Sequence, residues 1–231
     1  MIISHKHKFI FIKTIKTAGT SVEIALSKYC GPDDVITPIM AEDEDKRREL
    51  GYRGPQNDLI PLSKYSLGDL ARALQKRKRL RFTNHVGADF IQQYIDPDVW
   101  NNYFKFCFER NPWDRVISAY YFYYRVRNPV EPRPSITEFI DSGEANTYGG
   151  FDRYSRDGTI LVDRVFKFEE LDAAMEELRE RLDLPETPIL PRTKAGTRAS
   201  KSSHRELLTP EQREHIARVY AREIAHFGYE W

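Results

Sequence analysis

The stretch that decides the fold is Lys8-Phe-Ile-Phe-Ile-Lys-Thr-Ile-Lys-Thr-Ala-Gly-Thr-Ser21. Its first half is a short, nearly continuous apolar run rich in β-formers, which is typical of a parallel strand buried on both faces. Val22, Ala25, Leu26 and Tyr29 then repeat at helical spacing. The stretch therefore predicts a buried strand, a tight turn and a helix.

The turn of this unit, Lys16–Ser21, has the chemistry of a phosphate cradle. Small residues and Gly19 allow backbone N–H groups to approach an anion, and the following helix adds the positive end of its dipole. Thr20 and Ser21 add hydroxyl donors, and Lys16 adds a full charge. The loop is not a Walker A motif, because its lysine precedes the glycine. The alternative is an ordinary helix N-terminus.

A second candidate anion site follows the apolar run Tyr103–Glu109. Arg110 stands at the expected carboxyl end of that strand, where its guanidinium fork suits phosphate oxygens. Asn111-Pro112-Trp113-Asp114 then opens a helix with a preferred N-cap, a proline at the first position and an early acid. Ser118 lies on the second turn. The alternative is a salt bridge from Arg110 to Glu109 or Asp114.

Further patterns extend the alternation of strands and helices along the chain. Strands are predicted at Leu80–Thr83 and Ile160–Phe168. The helix that opens at Asn111 is predicted to run to about Arg127. Further helices are predicted at Leu67–Lys78, Ala88–Tyr94, Ile136–Asp141, Leu171–Leu182 and from Thr209 onward. In the helix at 67–78, we expect Leu67, Leu70, Ala71 and Leu74 to face inward. Such alternation predicts an α/β fold of three layers, with a central parallel sheet flanked by helices and a ligand crevice at the carboxyl ends of the strands.

Composition narrows the functional classes. The 231 residues suit a single α/β domain, and 36 basic against 35 acidic residues argue against a general nucleic-acid binder. No apolar run is long enough for a membrane span, and the start of the chain does not resemble a signal peptide. Two cysteines without metal-site spacing, Cys30 and Cys107, fit a cytoplasmic protein, with Cys107 buried.

The two anion elements together resemble the sulfotransferase superfamily, most closely its carbohydrate-type branch with many bacterial relatives. Phe9–Ser21 resembles the family's loop for a 5′-phosphosulfate. Phe106-Cys-Phe-Glu-Arg-Asn-Pro-Trp-Asp-Arg-Val-Ile-Ser118 resembles its 3′-phosphate element, with the family's Arg-x₇-Ser spacing. Val165–Leu171 and Tyr220–Tyr229 resemble later segments. One departure is Ile15, where many members have proline.

This resemblance implies a P-loop-like fold over a single domain, 1–231, and 3′-phosphoadenosine 5′-phosphosulfate (PAPS) as sulfuryl donor, with no metal ion. Lys16 is the implied catalytic lysine at the bridging oxygen. The resemblance also implies residues that bind the two phosphates of the donor. They are Lys13, Thr17, Ala18, Gly19, Thr20, Ser21, Arg110, Ser118, and, in a basic loop, Arg198 and Lys201.

A hydroxyl acceptor, expected to be a carbohydrate, needs a general base. His85 follows the predicted strand at 80–83, titrates near neutrality and resembles the base of the 2-O-type carbohydrate enzymes. The alternative is a structural histidine, and His204 is a further candidate for the base. The aromatic run Tyr120–Tyr124 suits either stacking on an acceptor or packing.

Regions 31–79 and 128–158 match no family segment and are expected to be acceptor-side insertions. Two other functional classes stay open from the sequence. One is a nucleotide-dependent kinase of the P-loop type, disfavoured by the missing Walker lysine. The other is a nucleotide-binding module without catalysis.

Overall fold

A computed structural model describes residues 1–191 and 203–231. The strands, in chain order, are β1 (Ile2–Ser4), β2 (Phe9–Phe11), β3 (Val35–Ile36), β4 (Phe104–Glu109), β5 (Ser155–Arg156), β6 (Thr159–Ile160) and β7 (Arg164–Lys167). The α-helices are α1 (Gly19–Ser27), α2 (Ala41–Glu49), α3 (Leu67–Lys76), α4 (Ala88–Tyr94), α5 (Pro97–Asn102), α6 (Pro112–Phe122), α7 (Ile136–Asp141), α8 (Leu171–Arg181), α9 (His204–Leu207), α10 (Pro210–Val219) and α11 (Ala221–Phe227).

The central sheet has the strand order β3-β1-β2-β4-β7. Strands β2, β4 and β7 are parallel, with Phe9 opposite Phe104 and Phe106 opposite Arg164. Strand β1 is antiparallel to both β2 and β3. The predicted parallel centre is therefore confirmed, and it ends on one side in two short strands that the sequence analysis missed. With three and two residues, β1 and β3 are too short to show a period.

Alternating residues of the strands fill a core on each face of the sheet. Phe9, Phe11 and Phe106 pack on one face with residues of α1 and α8. Ile10 and Cys107 pack on the other face with residues of α4 and α5. A third core joins α6, α7 and α10. The arrangement is the predicted three-layer α/β fold.

The predicted strand at Leu80–Thr83 is wrong. Arg81 forms only an isolated bridge with Leu59, and the carbonyl of Leu80 accepts a hydrogen bond from the N–H of Ile60 at 3.1 Å. The place beside β2 is occupied by β1, so this segment runs outside the sheet. The predicted strand at 160–168 is shorter than expected, since Thr159–Ile160 belongs to a separate hairpin with β5.

The expected inward face of α3 is also wrong. Leu67 is 87% and Leu74 is 79% exposed, Leu70 is exposed as well, and Ala71 faces solvent. The predicted last helix is divided at Tyr220 into α10 and α11. Within the described ranges, no helix is long and apolar enough to cross a lipid bilayer.

Candidate active site

The loop between β2 and α1 has an unusual backbone. Lys16 and Ala18 both have positive φ, at 62° and 58°, although neither is glycine. Each such conformation costs about 1–3 kcal/mol and is concentrated at functional sites. Left-handed residues in a tight turn can direct successive main-chain N–H groups toward one concavity, which suits an anion.

The N-terminus of α1 is left open to a ligand by its sequence. The N-cap residue is Ala18, which has no side-chain acceptor, and the first turn contains no acid. Helices α3 and α10, by contrast, begin with complete capping boxes. Since the first amides of a helix have no intrahelical acceptor, those of α1 are suited to an incoming phosphate.

Gly19 is required by the close passage of Lys13. A Cβ atom added at Gly19 would lie 2.7 Å from the Cγ of Lys13. The glycine therefore allows the side chain of Lys13 to run beneath the first turn of α1, and a larger residue would force the two apart.

Lys13 ends in a buried ion pair beneath the loop. Its Nζ lies 3.0 Å from Glu23 Oε2, and the other carboxylate oxygen contacts the α-amino group of Met1 at 3.1 Å and Arg47 at 3.6 Å. Burial alone would raise the pKa of Glu23, but its three basic neighbours outweigh burial and lower that pKa below its usual range. The ammonium group of Lys13 thus supports the loop from below, a placement that sequence reasoning did not foresee.

Arg110 joins the two predicted anion elements. Its Nη1 donates to the main-chain carbonyl of Lys16 at 3.0 Å, and its Nε donates to Asp114 Oδ2 at 2.9 Å. Its Nη2 bonds the same carboxylate, and the guanidinium lies over the Phe168 ring at 4.1 Å. The salt bridge to Asp114 that the sequence offered as an alternative does form, and the guanidinium reaches the loop at the same time.

One face of α6 lines the crevice between these elements. Asp114, Ser118 and Phe122 are spaced by four residues and share that face. Asp114 holds Arg110, and Lys16 Nζ lies 4.2 Å from the centre of the Phe122 ring. Ser118 stands one turn from each on the same helix face and is partly buried. Phe122 belongs to the aromatic run noted in the sequence, but its place beside Lys16 was not predicted, although the four-residue spacing from Asp114 and Ser118 indicates it.

A buried charge network fixes the end of β4 directly behind Arg110. Glu109 and Arg115 form a fully buried ion pair, and Arg115 also lies 3.4 Å from Glu223. Glu109 accepts hydrogen bonds from the N–H of Arg110 at 2.9 Å and from the hydroxyl of Tyr154 at 2.7 Å. An arginine on the inward face of α6 was the available sequence signal for this network.

His85 lies beside the loop even though no strand precedes it. Its Nδ1 is 3.1 Å from the carbonyl of Lys13. A carbonyl only accepts, so Nδ1 carries the proton and Nε2 keeps its lone pair. Burial, followed by the charge of Lys13, lowers the pKa of His85 to about 4. The ring is therefore neutral near pH 7 and offers Nε2 as a proton acceptor. Arg153 holds the main-chain carbonyl of His85.

The remaining candidates either make packing contacts or lie outside the described residues. Arg198 and Lys201 fall in residues 192–202, which lie outside the described ranges. His204 packs against the rings of Trp113 and Trp231. Three tyrosines of the run at 120–124 pack around the buried Phe139 ring, at centroid distances of 5.6–6.0 Å.

The hydroxyls of the loop divide between inner and outer positions. Thr17 is buried and its Oγ1 contacts Thr14 Oγ1 at 2.8 Å, while Thr14 also donates to the carbonyl of Phe108. These bonds tie the loop to β4. Thr20 and Ser21, in the first turn of α1, are only partly buried.

The match to a family model decides the assignment. Residues 1–230 match the model described as "Sulfotransferase family". The chain belongs to the sulfotransferase family. This confirms the resemblance found in the two anion motifs and identifies the protein as a sulfotransferase.

Two relatives place the sulfotransferase among known proteins. An uncharacterized protein from Archaeoglobus fulgidus is 29% identical over 102 residues, which cover 43% of this chain and 83% of the relative. The crystal structure of mouse sulfotransferase SULT7A1 complexed with PAP matches with a TM-score of 0.51 and 14% identity. That match covers 96% of this chain and 85% of the mouse protein, and it supports the fold.

Proposed function

We propose that this sulfotransferase moves a sulfuryl group from PAPS to a hydroxyl group of a carbohydrate. The observation that carries the proposal is the hydrogen bond from Arg110 to the main chain of Lys16, which joins both anion elements into one crevice. PAPS has two anionic ends, so a single crevice with two anion sites suits it. The mouse structure that shares the fold holds the bisphosphate product PAP.

The residues present fit the 5′ end of that donor. The left-handed turn at Lys16 and Ala18, the uncapped start of α1 and the absence of an acid from its first turn form one electropositive concavity. Thr17–Ser21 hold the 5′-phosphate in this proposal, through amides and the hydroxyls of Thr20 and Ser21. Lys13 contributes by supporting the loop from below through its pair with Glu23.

The 3′-phosphate is proposed to lie against Arg110 and Ser118. The hydrogen bonds to Asp114 and Lys16 use three of the five guanidinium N–H donors, and no further hydrogen bond of this group is found among the described residues. Asp114 and Phe168 orient the guanidinium for a bidentate contact. Arg198 and Lys201 remain proposed contacts to the same phosphate.

The proposed chemistry divides between Lys16 and His85. PAPS, when bound, supplies an activated sulfuryl group and a bisphosphate leaving group. The ammonium of Lys16 moves from the Phe122 ring to neutralise charge that develops on the bridging oxygen. Stabilisation of this kind accelerates transfer by about 10²–10³-fold. Nε2 of His85 takes the proton of the acceptor hydroxyl, while Nδ1 stays bound to the Lys13 carbonyl.

The regions that match no family segment are proposed to form the acceptor side of the site. Residues 31–79 and 128–158, within a single domain spanning 1–231, are the proposed acceptor-side insertions. The cytoplasm is the proposed compartment, and the two cysteines, both buried and unpaired, suit it.

Transfer of radiolabelled sulfate from PAPS to a panel of glycans and small alcohols tests the proposal. We expect label in a glycan, and much less label when His85 is replaced by glutamine. Label only in small alcohols would reject the carbohydrate acceptor. PAPS-independent hydrolysis of ATP with Mg²⁺, without sulfate transfer, would support the kinase alternative instead.

A further inference from the structure

Helix α3 and the turn before it carry a row of leucines on the surface. Leu67, Leu70 and Leu74 repeat at the spacing of one helical face, and Leu62 precedes them. All four side chains are exposed, two of them almost completely. The described part of the fold leaves this row uncovered, although isolated exposed leucines elsewhere would need no explanation. We call these four residues the leucine row.

The leucine row is bordered by an unusually basic stretch. Residues 62–81 contain seven Lys or Arg residues and a single acid, Asp69. Asp69 is occupied in the capping box of α3. The run Lys76-Arg-Lys-Arg79 follows directly and is exposed throughout. The surface therefore combines apolar side chains with a high local positive charge in a chain whose net charge is only +1.

This combination favours one kind of partner. Interfacial helices place leucines among acyl chains and basic residues among anionic headgroups. A second copy of the chain fits poorly, because its own leucine row would cover the leucines but would supply no free acid to the basic runs, Asp69 being held in its capping box. A nucleic acid would use the charges but leave the leucines in water.

We propose that the leucine row and the basic run 76–79 dock the protein on the surface of an anionic lipid bilayer. The docking face is close to the candidate base, because His85 follows Arg79, the end of the basic run, by six positions, a span of at most about 21 Å. Docking would therefore hold the crevice near the membrane surface. The inference concerns binding and stands independently of the proposed donor and acceptor.

Vesicle co-sedimentation of the full chain tests the proposal. We expect binding to vesicles of phosphatidylglycerol and phosphatidylcholine, weakening with salt, and no binding to phosphatidylcholine alone. The triple variant K76Q/R77Q/K78Q should weaken binding by about a hundredfold. The double variant L67S/L74S should weaken it by about tenfold. The controls K46Q/R48Q on α2 and I189S, an exposed isoleucine, should bind as the wild type does.

A fluorescence experiment separates insertion from charge attraction. Both native cysteines are buried, so an environment-sensitive dye attached at Leu67→Cys reports that position selectively. We expect a blue shift on adding anionic vesicles, and none for the dye at Ile189→Cys.

Three outcomes would overturn the proposal. The first is no binding to anionic vesicles at low salt. The second is unchanged binding of L67S/L74S, which would indicate charge attraction alone. The third is a lipid-free dimer that L67S/L74S converts to a monomer, which would make the leucine row a contact between copies. Because the replaced side chains are exposed, unchanged melting temperatures will show that the variants fold.

Discussion

The guanidinium of Arg110 donates a hydrogen bond to the main-chain carbonyl of Lys16 at 3.0 Å, across 94 positions of sequence. This bond connects the end of β4 to the loop after β2, the two neighbouring parallel strands at the centre of the sheet. Two charged elements that the sequence presents separately thus form one crevice.

Arg110→Ala should weaken binding of 3′,5′-adenosine bisphosphate by about 2–5 kcal/mol, because a buried phosphate would lose its charged partner. Isothermal calorimetry measures the change. Arg164→Ala is the matched control, since Arg164 is half exposed on β7 and pairs with Glu177. Equal affinities of the wild type and R110A would remove Arg110 from the nucleotide site.

Lys16→Ala should lower kcat by about 10²–10³ while leaving the melting temperature nearly unchanged, since the ammonium acts on charge that develops during transfer. Steady-state kinetics with radiolabelled PAPS provide the measurement. Lys28→Ala, which removes an exposed lysine from the end of α1, serves as the control. Wild-type turnover in K16A would show that another group supplies this charge.

The pH profile should reveal a base with a lowered pKa. His85 acts only when neutral, so kcat/KM should persist as the pH falls below 6.5 and decline through about pH 4. The anionic nucleotide, when bound, raises the pKa of the ring. The acid decline in the pH profile of kcat should therefore lie at higher pH than the decline in kcat/KM. His85→Gln should remove both the acid decline and most of the activity. An active H85Q with an unchanged profile would assign the base to another residue.

Gly19→Ala should destabilise the protein by about 1–3 kcal/mol, because its Cβ atom would lie 2.7 Å from Lys13 Cγ. Denaturant unfolding measures this change. Gly54→Ala is a matched control, since a Cβ atom there meets no atom within 4 Å. Equal stabilities of the two variants would show that the loop yields to the larger residue at no cost.

Glu23→Gln should lower the free energy of unfolding by about 3–5 kcal/mol, because Lys13 would lose its buried carboxylate partner, whereas Arg47 would keep its pair with Glu44. The pKa of Glu23 is lowered by folding, so its contribution is present above the unfolded pKa and is lost as the pH falls through the folded one. The free energy of unfolding of E23Q should therefore depend less on pH in the acidic range than that of the wild type. Glu186→Gln, at a surface pair with Lys28, should change little.

Local patterns sufficed to predict the strand, the loop, the helix and the second anion element. The proximity of Lys16 and Arg110 could be predicted because each follows an apolar run, and the ends of such runs meet at one edge of a parallel sheet. The pairs of Lys13 with Glu23 and Arg115 with Glu109 and Glu223 were missed, since a buried ion pair depends on how helices and loops pack.

Two errors have a common physical origin. The apolar run at Leu80–Thr83 resembles a strand, and the leucines of α3 resemble an inward face. In both cases the spacing of apolar residues indicates which side of the segment is apolar. It does not indicate which part of the chain, if any, packs against that side. Strand β1 occupies the place beside β2, and α3 presents its apolar face to the surface.

A crystal structure with 3′,5′-adenosine bisphosphate tests the central claim most directly. The account predicts one nucleotide in one crevice, with its 5′-phosphate on the amides of Thr17–Ser21 and its 3′-phosphate within hydrogen-bond distance of Arg110 and Ser118. A nucleotide bound elsewhere, or bound with Arg110 still directed only at Asp114 and Lys16, would contradict it.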